Sequence, residues 1–133
     1  MYSTFHIQFG EGSLCLKSSI VKTQDGIHIY VGGGEKAHIG TTVISQPRPS
    51  LKGDGRTSCT TSVFNILGHK DDEIAIPIAE EICKYFNETT VVTAGIHIGQ
   101  ATAQDIEQLK WYGTQITILI IRAINEEQKH FML

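Results

Sequence analysis

The hydrophobic periodicity of the sequence changes once, near residue 71, and this change limits the possible folds more than any other feature. In residues 4–66, apolar side chains recur at every second position between turn-forming segments, which is typical of half-buried β-strands. In residues 74–86, isoleucines and a phenylalanine recur at every fourth position, as on one face of a helix. The sequence therefore predicts an α+β chain whose strands come first.

We predict five strands in the first half, and an antiparallel β-meander is their simplest arrangement. The strands are expected at residues 4–9, 14–23, 27–31, 38–46 and 57–66. Asp25-Gly26 suits a hairpin turn that needs positive φ. Two loops are expected between the later strands: a flexible glycine-rich loop at residues 32–36, and a long exposed loop at residues 47–56 that contains two prolines and two glycines.

The second half of the sequence predicts a helix, a strand and a helix. Regular helix is expected to start close to Pro77, because proline is tolerated in a first turn. Residues 89–98 are rich in β-branched residues and nearly apolar on both faces, which favours a central strand covered by helices on at least one side. Thr102 and Asp105 resemble a capping box for the second helix. The run at residues 116–121 could form a strand, but the helical stripe continues through it.

Composition and charge exclude several classes of partner. The length of 133 residues, without an internal repeat, predicts a single domain over residues 1–133. A net charge of -3 without a basic block argues against nucleic-acid binding. The longest aliphatic run, residues 118–121, is far below the roughly 18 to 20 residues that span a bilayer, and no secretory signal is recognisable. We expect a soluble, cytoplasmic protein whose three widely spaced cysteines are reduced.

Three histidines lie beside glycines at the ends of predicted strands: His38, His69 and His97. Glycine lets the backbone approach a ligand, and imidazole supplies a metal ligand or a proton shuttle. Taken singly, a histidine at a strand end is more often structural. No local motif such as His-x-His or Cys-x-x-Cys is present, so any metal site must be assembled by the fold. The histidines at positions 6, 28 and 130 have no such glycine neighbours and receive no ligand role.

Two other segments could bind an anion. Residues 68–70 (Gly-His-Lys) precede the predicted helix, where free amides and a cation suit a phosphate, although a turn with a solvated lysine explains them equally well. Ser58, Thr60 and Ser62 share one face of the fifth strand, where they offer hydroxyls to a ligand or simply face solvent. No nucleophile elbow, Walker loop or dinucleotide-binding glycine motif is present, so acyl transfer and nucleotide hydrolysis lose support.

Three blocks of sequence resemble a known family. They are residues 33–40 (GGEKAHIG), 68–72 (GHKDD) and 94–98 (AGIHI), the last followed by Ala101-Thr102 and Asp105-Ile106. In their order and spacing they resemble the LpdD-like prenylated-flavin chaperones, which are small accessory proteins of UbiD-type decarboxylase systems. That family is similar in fold to the proteasome-assembly chaperones. The resemblance extends from Gly33 to Leu109.

The resemblance implies a protein that binds prenylated flavin mononucleotide (prenylated FMN) in a metal-dependent way, passes it to a UbiD-type decarboxylase and catalyses no reaction itself. The implied ligands of a divalent transition metal ion are His38, His69 and His97. The same three histidines, with Gly40 and Lys70, are the implied cofactor-binding residues. A flavin prenyltransferase is a further candidate partner.

Four further residues belong to this hypothesis and its alternatives. Ser58 and Thr60 are our own prediction for phosphate contacts, from their strand face, and Asp72 lies beside the histidines in sequence. The chain could instead be an assembly or scaffold protein of the proteasome-chaperone type without a cofactor. It could also be a small metal-dependent enzyme acting on an aromatic acid, for which Glu73 is the one carboxylate considered. Exposed sheet edges predict a homodimer.

Overall fold

The computed structural model describes residues 2–66 and 71–132, and the side chains of that range up to residue 129. Within it lie six strands, a short 3-10 turn at Gly12–Leu14 and two helices. The strands are β1 (Ser3–Phe9), β2 (Leu16–Lys22), β3 (Gly26–Gly34), β4 (Lys36–Pro49), β5 (Thr57–Asn65) and β6 (Thr89–His97). The helices are α1 (Asp72–Phe86) and α2 (Ala103–Met132). The predicted α+β class and the element order of five strands, helix, strand and helix are confirmed.

The strands form one sheet in the order β1-β2-β3-β6-β4-β5. All neighbours are antiparallel except β3 and β6, which are parallel. The meander is therefore interrupted, because β6 returns after α1 and inserts between β3 and β4. Burial explains this central place, since Thr90, Val92 and Ala94 of β6 are fully buried.

Both helices pack on the same face of the sheet and enclose one hydrophobic core. Alternate strand residues contribute to it, including Leu16, Ile29 and Val43, and they meet isoleucines of α1 and α2 such as Ile78 and Ile116. Burying each such aliphatic side chain contributes about 1.5–3 kcal/mol. The other alternate residues, which point away from the helices, form what we call the open face of the sheet.

The two helix starts differ from each other in how well the sequence predicts them. The capping box of α2 is confirmed, because the Thr102 amide donates to Asp105 Oδ2 and the Asp105 amide donates to Thr102 Oγ1, both at 3.0 Å. The expected start of α1 near Pro77 is wrong, because the helix begins at Asp72. Pro77 is exposed, while its neighbours Ile74 and Ile78 are buried against the sheet, so core packing continues the helix through the proline.

Neither described helix is long and apolar enough to cross a membrane.

The two expected loops are largely strand. Gly32–Gly34 form the last three residues of β3. An added Cβ at Gly33 would lie 2.7 Å from the Cys15 carbonyl oxygen, and one at Gly34 would overlap the His97 backbone. These glycines therefore provide close packing of strands rather than flexibility. Pro47 and Pro49 lie in β4 and pair with Cys59 and Thr57 of β5. Prolines are tolerated there because β4 pairs with β6 only as far as Ser45, so no partner is lost on that side.

Cys83 gives a simple test of the packing between α1 and the sheet. Its side chain is fully buried and its Sγ donates to the Ser45 carbonyl oxygen at 3.4 Å, and burial raises the pKa of its thiol to about 11. Because the thiolate is the reactive form, we expect Cys83 to resist a thiol-specific chromogenic reagent at pH 8. The native protein should titrate no more than two rapid thiols and the denatured protein all three.

The control for this test is Cys83→Ser, which should leave the number of rapid thiols in the native protein unchanged. Three thiols that react equally fast in the native protein would contradict the buried position of Cys83.

Candidate functional site

A β-bulge at the beginning of β4 creates the candidate site. Ala37 pairs with Ile96 and Thr41 pairs with Ala94, so His38, Ile39 and Gly40 face the single residue Gly95. An added Cβ at Gly95 would overlap the His38 carbonyl group, so only glycine lets the bulge lie against β6. The bulge therefore explains why a histidine and a glycine lie close together in the sequence blocks 33–40 and 94–98.

The bulge brings two of the predicted histidines together. The ring centroids of His38 and His97 are 6.1 Å apart, with an edge-to-face angle of 79°. His38 is 18% exposed, whereas His97 is exposed at the end of β6. Lys36 lies directly opposite His97 in the β4–β6 register, so both side chains are on the open face. Two imidazoles and a cation thus share one end of the sheet.

Asp71 supplies a carboxylate to this group. Although it occupies the N-cap position of α1, its side chain makes no capping hydrogen bond. Instead Oδ1 accepts the Ile96 amide at 2.9 Å, and Oδ2 lies 3.9 Å from Nε2 of His38. Asp71 is only 5% exposed, and an added Cβ at Gly40 would overlap its carboxylate. Gly40 therefore makes room for a buried acid beside the His38 ring.

Tyr30 fixes the backbone of the bulge from the open face. Its hydroxyl donates to the His38 carbonyl oxygen at 2.8 Å, and its ring lies over Gly32, where an added Cβ would be 2.8 Å from the ring. Burial, and then the negative charge of Asp71, raise the pKa of Tyr30. The hydroxyl therefore stays protonated and remains a donor at neutral pH.

The sequence reasoning missed Asp71 and Tyr30. In the sequence, Asp71, Asp72 and Glu73 are equally suited to interact with the positive N-terminal end of the helix dipole. Only the contact between β6 and the start of α1 in the folded chain distinguishes Asp71 from the other two. Asp72 instead accepts a hydrogen bond from Asn65 Nδ2 at 3.2 Å. Glu73 forms an ion pair with Lys110 of α2 at 3.7 Å. Nothing in the local sequence of Tyr30 distinguishes it from other strand tyrosines.

The predicted hydroxyl face lies elsewhere on the sheet. Ser58 and Thr60 pair with Arg48 and Gln46 of β4, and Thr60 Oγ1 accepts a hydrogen bond from Arg48 Nε at 3.0 Å. At about 3.3 Å per residue along β4, Thr60 is more than roughly 20 Å from His38. The structure therefore does not bring Ser58 and Thr60 together with the histidines. The predicted residues His69 and Lys70 lie outside the described residues.

The donor set at the bulge suits a transition metal but is incomplete in the described residues. Neutral imidazole and carboxylate are common metal ligands. Within residues 2–66 and 71–129, no three histidine, cysteine or acidic side chains converge on one point. His38 and His97 offer two nitrogen donors, and His69 is the third ligand that the family resemblance implies.

Comparison with known proteins identifies the family. The family model of the prenylated-flavin chaperone LpdD-like domain matches residues 10–125, which include the bulge with His38, and also Asp71 and His97. The chain belongs to the LpdD-like family. No curated protein matches it.

A solved structure with the same fold gives the second comparison. This LpdD-like chain resembles a chain from a novel chaperone complex for yeast 20S proteasome assembly, with a TM-score of 0.61. The identity is 15%, over 92% of this chain and 96% of the yeast chain, so the likeness shows the fold alone. The family supports a chaperone or accessory role for this LpdD-like protein, as expected from its sequence blocks.

Proposed function

We propose that this LpdD-like protein binds prenylated FMN with a divalent transition metal ion at the His38–Asp71–His97 end of the sheet. It then passes the cofactor to a UbiD-type decarboxylase without catalysing a reaction. The observation that carries the proposal is the convergence of two imidazoles and a buried carboxylate at a glycine-dependent bulge. That bulge lies inside the region matched by the prenylated-flavin chaperone family.

Each residue has a defined part in this proposal. His38 and His97, with His69, provide neutral imidazole nitrogens for the metal ion. Asp71 orients the His38 ring while its other oxygen holds the Ile96 amide, as carboxylates beside metal-binding histidines do. When bound, the metal ion supplies positive charge and coordination positions for phosphate or ring oxygens.

Two cations and a tyrosine complete the proposed site. Lys36 lies opposite His97, where its charge would offset that of a phosphate. Lys70, which directly precedes Asp71 in the sequence, is the second cation of the proposal. Tyr30 keeps the His38 carbonyl in place and so limits movement of the bulge. Gly40 belongs to the proposed cofactor site, because a side chain there would displace Asp71. Ser58 and Thr60 would require a second, separate anion contact.

The proposed accessory role includes partners. A UbiD-type decarboxylase would receive the cofactor, a flavin prenyltransferase would supply it, and the protein would act as a cytoplasmic homodimer. An enzymatic function has less support, because the candidate general base Glu73 is paired with Lys110. A scaffold function without cofactor is the second candidate, and the likeness to a proteasome-assembly chaperone favours it.

Co-expression with a flavin prenyltransferase tests the proposal. The purified protein should carry a flavin absorbance band and a bound transition metal, measured by optical spectroscopy and elemental analysis. A His38→Ala variant expressed in the same way should lack both. A colourless, metal-free wild-type protein that still binds other proteins would favour the scaffold function instead.

A further inference from the structure

β5 is an edge strand that lacks the usual protection against pairing. It ends the sheet beyond β4, and no other part of the described chain pairs with its outer side. Its nine residues, Thr57–Asn65, include no charge, no proline and no bulge against β4. Natural edges are normally blocked by such features, because an open edge presents unpaired amides and carbonyls to another strand.

The hydrogen bonds show which backbone groups of β5 point outward. The Ile66 amide donates to the Gly40 carbonyl at 2.8 Å, and the Phe64 carbonyl accepts from Thr41 Oγ1 at 3.2 Å. Even-numbered residues of this segment therefore face β4. Because successive residues alternate in direction, the odd-numbered residues direct their amides and carbonyls away from the sheet. These are Thr57, Cys59, Thr61, Val63 and Asn65.

The C-terminal end of β5 exposes two large apolar side chains, although the rest of the strand is mostly polar. Phe64 is 72% exposed and Val63 is 42% exposed. Phe64 pairs with Thr42 and lies on the open face, whereas Val63 pairs with buried Val43 on the helical face. Both sides of the edge therefore carry an exposed apolar group, and the exposed Ile66 follows directly.

The other edge of the sheet, β1, differs in this respect. Its exposed residues are the polar Thr4, His6 and Gln8, while its apolar residues Phe5 and Ile7 pack against the core. Within the described residues both edges lack a strand partner on their outer side, but only β5 exposes large apolar side chains. The difference favours β5 as the edge that is covered by a partner.

We propose that β5 pairs antiparallel with β5 of a second copy of this chain, giving a continuous sheet of twelve strands. A two-fold axis through the middle of β5 is the simplest way to satisfy both sets of outward groups at once. An uncharged strand meets its own copy without like-charge repulsion, and the axis places each Val63 and Phe64 beside the partner strand. The proposal specifies the interface of the homodimer in the proposed function and does not depend on cofactor binding.

Light scattering at micromolar concentration tests this interface with a matched pair of variants. The wild-type protein should have twice the 14.7 kDa mass of one chain. Val63→Lys and Phe64→Lys should each reduce this mass to that of the monomer, with an unchanged circular dichroism spectrum. Ile118→Lys is the control, because Ile118 is also 42% exposed but lies on α2. It should remain dimeric.

Amide hydrogen exchange supplies the second measurement. In the wild-type protein both the odd and the even amides of β5 should be protected, whereas in Val63→Lys only the even ones should remain so. A monomeric wild-type protein, a dimer that persists in both lysine variants, or rapid exchange of the odd amides in the wild-type dimer would overturn the proposal. A dimer that fails to bind prenylated FMN would overturn the proposed function and leave this interface intact.

Discussion

Replacing Gly95 by alanine should destabilise the fold by about 3 kcal/mol or more, at the upper end of what overpacking costs. The added Cβ would overlap the carbonyl group of His38. Both groups belong to the backbones of adjacent central strands, so neither can rotate away, and β4 would have to separate from β6. Urea unfolding monitored by circular dichroism measures the change directly.

Gly99→Ala is the control for this substitution. Among the described residues, an added Cβ there would meet only Glu35 Oε2, at the ordinary contact distance of 3.6 Å. The free energy of unfolding should therefore stay within about 0.5 kcal/mol of the wild-type value. Equal stability of the Gly95→Ala and Gly99→Ala variants would show that the bulge does not lie against β6 as described.

Replacing His38 or His97 by alanine should abolish metal-dependent binding of prenylated FMN. Removing a group that hydrogen-bonds to a metal ligand already lowers metal affinity by about 10- to 100-fold. Removing a ligand itself should therefore lower the affinity by more than about 100-fold. Isothermal titration of the metal-loaded protein measures this loss. Stability should change little for His97→Ala, because the side chain is exposed at the end of β6.

His6→Ala is the matched histidine control. His6 is also exposed on a strand, where Nδ1 lies 2.9 Å from Ser19 Oγ, but it is on β1 and far from the bulge. It should bind the cofactor as the wild type does. Full affinity in both His38→Ala and His97→Ala would remove these residues from the site, whereas unfolding of both would give them a structural role.

The elements of the fold could be predicted from the sequence because each depends on local periodicity. Alternating apolar residues predict β1 to β5, and the spacing of the isoleucines predicts α1, which continues through Pro77. The position of β6 between β3 and β4 could not be predicted, since it depends on contacts distant in sequence. Gly32–Gly34 were misjudged for the same reason: the backbones of Cys15 and His97, which require glycine, belong to segments distant from them in sequence.

Residues of the candidate site could be predicted only where the feature that positions them lies close to them in sequence. His38 and His97 were identified through adjacent glycines, and the structure shows that Gly40 and Gly95 provide the space for the bulge and for Asp71. Asp71 itself was not identified, because its contact with Ile96 joins the start of α1 to the end of β6. Sequence alone gives no sign of that meeting.

The most direct test of the proposed function is a titration of the protein with prenylated FMN in the presence and absence of a metal chelator. If a metal ion held by the histidines links the protein to prenylated FMN, the cofactor should bind tightly with added divalent metal. The chelator should then lower the affinity for the cofactor by at least about 100-fold. Equal affinity in both conditions would contradict the metal-dependent site, and no binding in either would contradict the role as a prenylated-flavin carrier.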